Sequence, residues 1–224
     1  SLQVSVQTLD SMVGIDAVAL PEPHDRFREE IAALYAAGCR YLQIDETNFP
    51  FLCDPKLHDH VRSIGEDPVS IQHTYAKLLN DVTRGRPADL RICIHMCRGN
   101  HESSWVASGG YGPVAEVAFG TLDVDGFFLE YDDARSGDFA PLRFVPKGNL
   151  RVVVGVITSK FAKLEPKDQI KKRIEQAAKF VPLDQLCLSP QCGFASSEEG
   201  NILAEEEQWA KLRMIVEIAD EVWG

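Results

Sequence analysis

Cys93, His95 and Cys97 alternate along the segment RICIHMC, Glu130 closes a later apolar run, GFFLE, and Cys192 sits in SPQCG toward the end of the chain. If RICIHM is a strand, its period of two sends Cys93, His95 and Cys97 to one side and Ile92, Ile94 and Met96 to the other. A histidine, two thiolates and a carboxylate are a ligand set that zinc accepts in tetrahedral geometry. Counted from His95, the other ligands lie 2, 35 and 97 residues on, which is not the spacing of a zinc finger. They come from three separate strands, so the site exists only once the sheet has formed, as catalytic sites do more often than local structural ones. On spacing alone the same residues also fit ordinary core cysteines and a hydrogen-bonded histidine, because free cysteine is among the most buried residue types.

Such side chains need a scaffold that gathers strand ends. Asp25 caps a predicted helix whose apolar positions Phe27, Ile31, Leu34 and Tyr35 follow the 3.6 period and which stops at Gly38. YLQID (41–45) reads as a strand. After a Pro-bearing loop, Pro68 starts a second helix, with Ile71, Tyr75, Leu78, Leu79 and Val82 on one face and Gly85-Arg86-Pro87 as its stop. Strand 91–96, a helical stretch over 113–119, strands 126–130 and 150–157, helix 166–180, strand 186–189 and a helix from about 203 to 223 follow.

Apolar strands separated by helices indicate a parallel sheet of βαβ units, five strands in all or six if Leu2 to Val6 counts. No glycine-rich fingerprint follows the first strand, which argues against a dinucleotide-binding open sheet. Polar groups at the C-terminal ends of parallel strands are the mark of an α/β, (β/α)8 TIM-type barrel, an architecture of about 250 residues. The 224 residues are expected to form a single partial barrel domain, 1–224, that lacks the first strands. A partial barrel exposes a sheet edge, so closure by a second copy in a homo-oligomer is expected.

Lys plus Arg number 23 against 34 Asp plus Glu, a net charge of −11, and the pI is near 5.0. That balance repels phosphate backbones and anionic lipid, so neither nucleic acid nor membrane is an expected partner. The longest apolar runs, such as 152–157, fall far short of the ~20 residues of a membrane span, and a cytoplasmic location is expected. Six cysteines in a chain able to build its own core read as reduced thiols or metal ligands, not as a disulfide scaffold.

Four segments carry a family resemblance. Gln43-Ile44-Asp45-Glu46, His95-Met96-Cys97-Arg98-Gly99-Asn100, Phe128-Leu129-Glu130 followed by Arg135-Ser136, and Ser189-Pro190-Gln191-Cys192-Gly193 resemble, in order and spacing, the C-terminal zinc barrel of cobalamin-independent methionine synthase. The resemblance covers about residues 25 to 224 and is closest to the shorter single-barrel relatives, a group that includes epoxyalkane:coenzyme M transferase. It implies that His95, Cys97, Glu130 and Cys192 bind zinc and that Asp45 holds the amino group of a homocysteine-like substrate. It further implies a methionine synthase-like methyltransferase of methionine biosynthesis, which moves a methyl group from a methyltetrahydrofolate-like donor to homocysteine. Its partners are then a small-molecule thiol and a methyl donor, with no catalytic residue beyond the zinc-bound thiolate.

One segment departs from the family. Where the methionine synthases carry Asp-Ile-His-Ser-Pro, whose histidine is the proton donor proposed for the folate leaving group, this chain has Val156-Ile157-Thr158-Ser159-Lys160. Lys160 or a nearby water could substitute for that histidine, and a simple methyl or alkyl donor that needs no such acid, another thiol acceptor such as coenzyme M, or a non-catalytic partial barrel stand as alternatives. A zinc hydrolase fits less well, because thiolate-rich zinc is a poorer activator of water.

The neighbours of the ligands add substrate-binding candidates. Asp45-Glu46 fits an acid/base pair, a substrate clamp or a helix-capping cluster. Arg98 fits bidentate binding of a carboxylate or sulfonate, or pairing with a surface acid. Asp132, Asp133, Arg135 and Asp138 form a polar loop that could support the ligands. His58-Asp59-His60 reads as solvated loop, and Cys93 as filler beneath the metal.

Overall fold

In the computed structural model the described residues are 4–7, 23–195 and 198–224. Six strands form one sheet: β1 (Val4–Gln7), β2 (Tyr41–Glu46), β3 (Arg91–Met96), β4 (Gly126–Glu130), β5 (Arg151–Ile157) and β6 (Leu186–Pro190). The strand expected from Leu2 is thus seen from Val4 on; Leu2 and Gln3 lie outside the described residues. Each strand pairs in parallel with the next, in the order β1 to β6. An open doubly wound sheet reverses its strand order at a switch point. The strictly sequential order here is that of a TIM-type α/β barrel.

The alternation of side chains builds two faces. Ile92, Ile94 and Met96 of β3 have no exposed surface, and with Leu42, Ile44, Phe127, Leu129, Val152 and Val154 they form the outward layer of the sheet. Against it pack α1 (Pro23–Ala36), α4 (Ile71–Thr83), α5 (Ala115–Thr121), α6 (Lys167–Ala177) and α7 (Glu205–Trp223), through residues such as Leu79, Phe119, Ile174 and Ile218. Each such side chain contributes roughly 1.5–3 kcal/mol by burial, so this layer holds the sheet in place and leaves the inward face to polar groups.

The segment after β2, read as a loop, instead forms two short helices, α2 (Asn48–Phe51) and α3 (Pro55–Ser63). Asp54 caps α3 by accepting the Lys56 N–H, and Pro55 opens it. His58-Asp59-His60 therefore lies on a helix, with His58 Nε2 2.8 Å from the Leu52 carbonyl. The next helix starts at Ile71, three residues later than Pro68, because the Asp67 carboxylate accepts the Ser70 N–H and hydroxyl and holds a turn there.

Gly155 sets how closely the strand ends crowd. It pairs with Glu130 on one side and Ser189 on the other. A Cβ there would meet the Leu129 carbonyl oxygen at 2.3 Å and Gln191 Cα at 2.6 Å. We expect Gly155→Ala to lower the unfolding free energy by about 1–3 kcal/mol, through overpacking. Urea denaturation checks this, and an unchanged midpoint would show that the strands have room to spare.

Candidate metal centre

His95 reaches the inward face because its strand alternates, with Asp45 of β2 directly opposite in register. Cys97 follows β3 and stays tied to the sheet by its N–H, which donates to the Glu46 carbonyl at 3.0 Å. Glu130 ends β4; its N–H donates to the Tyr111 hydroxyl at 3.0 Å, and its Oε1 accepts the Arg98 N–H at 3.2 Å. Cys192 lies just beyond β6, behind a Gln191 N–H that donates to the Ile157 carbonyl at 2.8 Å.

The ligand atoms of His95, Cys97, Glu130 and Cys192 all lie within 4.8 Å of one another, an arrangement that could hold a metal ion. The Cys97 and Cys192 sulfurs are 4.0 Å apart, and His95 Nε2 is 3.6 Å from Glu130 Oε1. In a flat sheet β3 and β6, three steps apart, would be separated by about 14 Å at the usual ~4.8 Å per strand. The sheet curls, and the strand-end loops lean inward.

The electrostatics suit a cation. His95 Nε2 and Glu130 Oε2 are buried and have no hydrogen-bond partner among the described residues. Burial by itself would push the His95 imidazolium down, but the Cys192 sulfur and the Glu130 and Asp45 carboxylates outweigh it and raise the pKa to about 9. The Cys192 sulfur and burial hold the Cys97 thiol far above the usual range. Burial also raises the Glu130 carboxyl. Crowded, desolvated donors bind protons tightly when no cation lies among them, and a divalent ion reverses that preference. One imidazole, two thiols and one carboxylate are donors that fit zinc.

The other candidates divide. Asp45 shares the inward face with His95 and keeps part of its surface exposed, with the Gln43 amide donating to it at 3.4 Å. Glu46, one residue on, points to the opposite face. Its carboxylate accepts the Asn48 and Phe49 N–H groups at 2.8 and 2.9 Å and is buried, the helix-capping arrangement that is one of the three readings of Asp45-Glu46. Arg98 has no exposed surface; its guanidinium lies 4.3 Å over the Tyr111 ring, in an aromatic layer that continues to Tyr131. It meets neither a surface acid nor solvent.

The polar loop after Glu130 does reach the ligands. Arg135 Nη2 is 2.9 Å from Asp132 and 3.8 Å from Glu130 Oε2, Arg135 also pairs with Asp133, and its guanidinium lies 4.6 Å over the Trp105 ring. Asp138 is elsewhere, accepting the Ala140 N–H. Arg135 also lines a cleft of about 440 Å³, with Asp132, Thr158, Phe161, Leu164 and Glu165. Sequence reasoning missed Tyr111, whose hydroxyl supports Glu130 from 19 residues away. No motif marks it.

Residues 22–221 match the family described as the catalytic domain of cobalamin-independent synthase. The chain belongs to this family. Within it, the chain is 54% identical over 197 residues to YxjH of Bacillus subtilis and 52% identical to YxjG of the same organism, both uncharacterized. The match takes in 88% of this chain and 52% of each relative, so the chain spans about half the length of the curated relatives it matches. A candidate vitamin-B12-independent methionine synthase from Listeria monocytogenes superposes with a TM-score of 0.72 at 46% identity, over 90% of this chain and 54% of that one. The B12-independent methionine synthase of Shewanella sp. W3-18-1, in complex with selenomethionine, shares the fold, with a TM-score of 0.68 at 20% identity over 98% of this chain and 61% of that one. Among the described residues no helix is long and apolar enough to cross a membrane.

The capping role of Glu46 can be separated from a substrate role. Glu46→Ala is expected to lower stability by about 1–2 kcal/mol, as loss of a cap does, and to leave metal content and thiol affinity unchanged. Urea denaturation and metal analysis on the same sample check this; weakened thiol binding at full stability would return Glu46 to the substrate set.

Proposed function

We propose that this synthase-family chain performs zinc-dependent transfer of a methyl group to the thiol of homocysteine, giving methionine, from a methyltetrahydrofolate-like donor. The observation that carries the reading is the convergence of four ligands from three strand ends, two of them with buried donor atoms that have no hydrogen-bond partner among the described residues. His95, Cys97, Glu130 and Cys192 would hold the metal. Zinc bound there would keep a thiol substrate deprotonated and nucleophilic at neutral pH.

The remaining work falls to side chains. Two thiolates and a carboxylate set −3 against the +2 of the ion, so the ligand set leaves the site net negative and an attacking sulfur electron-rich. Asp45, inward-facing beside His95, would accept hydrogen bonds from the substrate ammonium and aim the thiol. The cleft beside Arg135 offers the donor an apolar wall of Phe161 and Leu164. Asp45 on this face and Arg98 buried behind it favour a thiol with an ammonium group over one with a sulfonate, such as coenzyme M.

Zinc analysis comes first. The purified chain is expected to hold about one zinc, Cys192→Ser to lose it, and homocysteine to release a proton on mixing while mercaptoethanesulfonate binds more weakly. A zinc-free chain, or one whose metal content ignores Cys192→Ser, would overturn the proposal. Asp45→Asn should weaken homocysteine binding at constant zinc content.

Metal affinity also carries a pH sign. Below about 9 the metal-free His95 holds a proton that zinc must displace, and Cys97 holds another far higher. Apparent affinity should therefore rise with pH through the neutral range, with protons released on loading. Competition titrations at several pH values check this, and a flat profile would contradict it.

A further inference from the structure

Lys160 has no exposed surface, although it lies only three residues past β5. Its ammonium donates to the Gly99 carbonyl at 3.3 Å and to Asn100 Oδ1 at 3.1 Å. Asn100 in turn donates through Nδ2 to the Gly193 carbonyl at 2.9 Å. Gly99 and Asn100 follow Cys97, and Gly193 follows Cys192. Next to Lys160, the Ser159 hydroxyl donates to Gln191 Oε1 at 3.0 Å, on the other side of Cys192. Segment 159–160 thus grips the two loops that carry the thiols, which come from strands that do not touch.

The charge is as telling as the geometry. Among the described residues no carboxylate forms an ion pair with Lys160; its contacts are neutral carbonyl and amide oxygens. A buried cation without a counter-charge is unfavourable by several kcal/mol. Glu130 and Asp132 act on Lys160 through space, and the ligand set adds to that field, since its thiolates and carboxylate exceed the charge of a divalent ion by one.

We propose that Lys160 is a positioning residue for the metal centre: it clamps the loop after Cys97 to the loop around Cys192 and balances the surplus negative charge of the ligand set. This inference rests on the zinc reading above. The clamp sets the sulfurs at their separation before any ion arrives.

The test compares wild type, Lys160→Met and Asn100→Ala as full-length chains. Zinc affinity is read by competition with a chromophoric chelator, and the thiolate-to-cobalt absorption band is read on the cobalt(II)-loaded proteins. Loss of such a supporting group lowers metal affinity by roughly 10–100-fold. We expect that loss for Lys160→Met with a displaced cobalt band, and a smaller change of the same kind for Asn100→Ala, which keeps the charge and breaks the link to Gly193. Wild-type affinity and band in both variants, with or without lower stability, would overturn the inference while the zinc reading stands. Failure of the wild type to bind either metal would overturn both. If Lys160→Met does not fold, Asn100→Ala decides by the same two readouts.

Discussion

Two sulfurs from strands that are not neighbours lie 4.0 Å apart, and the rest of the molecule is arranged around that convergence. It requires a parallel sheet that curls, and a parallel sheet curls stably only if its outer face is covered. The helices do this by burying Ile92, Ile94, Met96, Val152 and Val154. The inner face is then free to carry His95 and Glu130 at adjacent strand ends, while loops bring Cys97 and Cys192 over the rim. Gly155 belongs to the same constraint, since the strand beside it carries Glu130 and the chain leading to Cys192 passes where its Cβ would be.

Gathering acidic donors in a buried place is unfavourable, and the chain surrounds them with cations. Arg135, held by Asp132 and Asp133, stands 3.8 Å from Glu130. Arg98 lies behind, stacked on the tyrosine whose hydroxyl accepts the Glu130 N–H. Lys160 closes the third side. These cations reach the site through loops and aromatic rings, so each also fixes geometry. That coupling suits a centre whose donors must be close before an ion binds.

Much of this was legible because strands report by alternation. RICIHM placed β3 to the residue, since apolar residues at every second position leave the polar ones facing the other way, and the apolar run GFFLE placed β4. The same rule distinguishes Asp45 from Glu46, which must face opposite sides. It does not say which side meets substrate. The pair Asp45-Glu46 fits a clamp, an acid/base pair or a capping cluster in sequence, and in the structure the N–H groups of Asn48 and Phe49 bind Glu46. The helices α2 and α3 escaped for a related reason: each is short, and caps instead of hydrophobic periodicity define them.

By itself, then, the sequence determined which strands bear His95, Cys97, Glu130 and Cys192 and at which strand end they stand, because residue type, period and order are local properties, while the four-ligand set came from the family resemblance. Only the tertiary structure decided that three distant segments meet within 4.8 Å, that Arg98 is buried over the Tyr111 ring, that the Tyr111 hydroxyl accepts the Glu130 N–H, and that Lys160 bonds to Gly99 and Asn100. Those outcomes depend on how far the sheet curls and on which loops cross its rim. Both are set by packing between segments tens of residues apart, which no local pattern encodes.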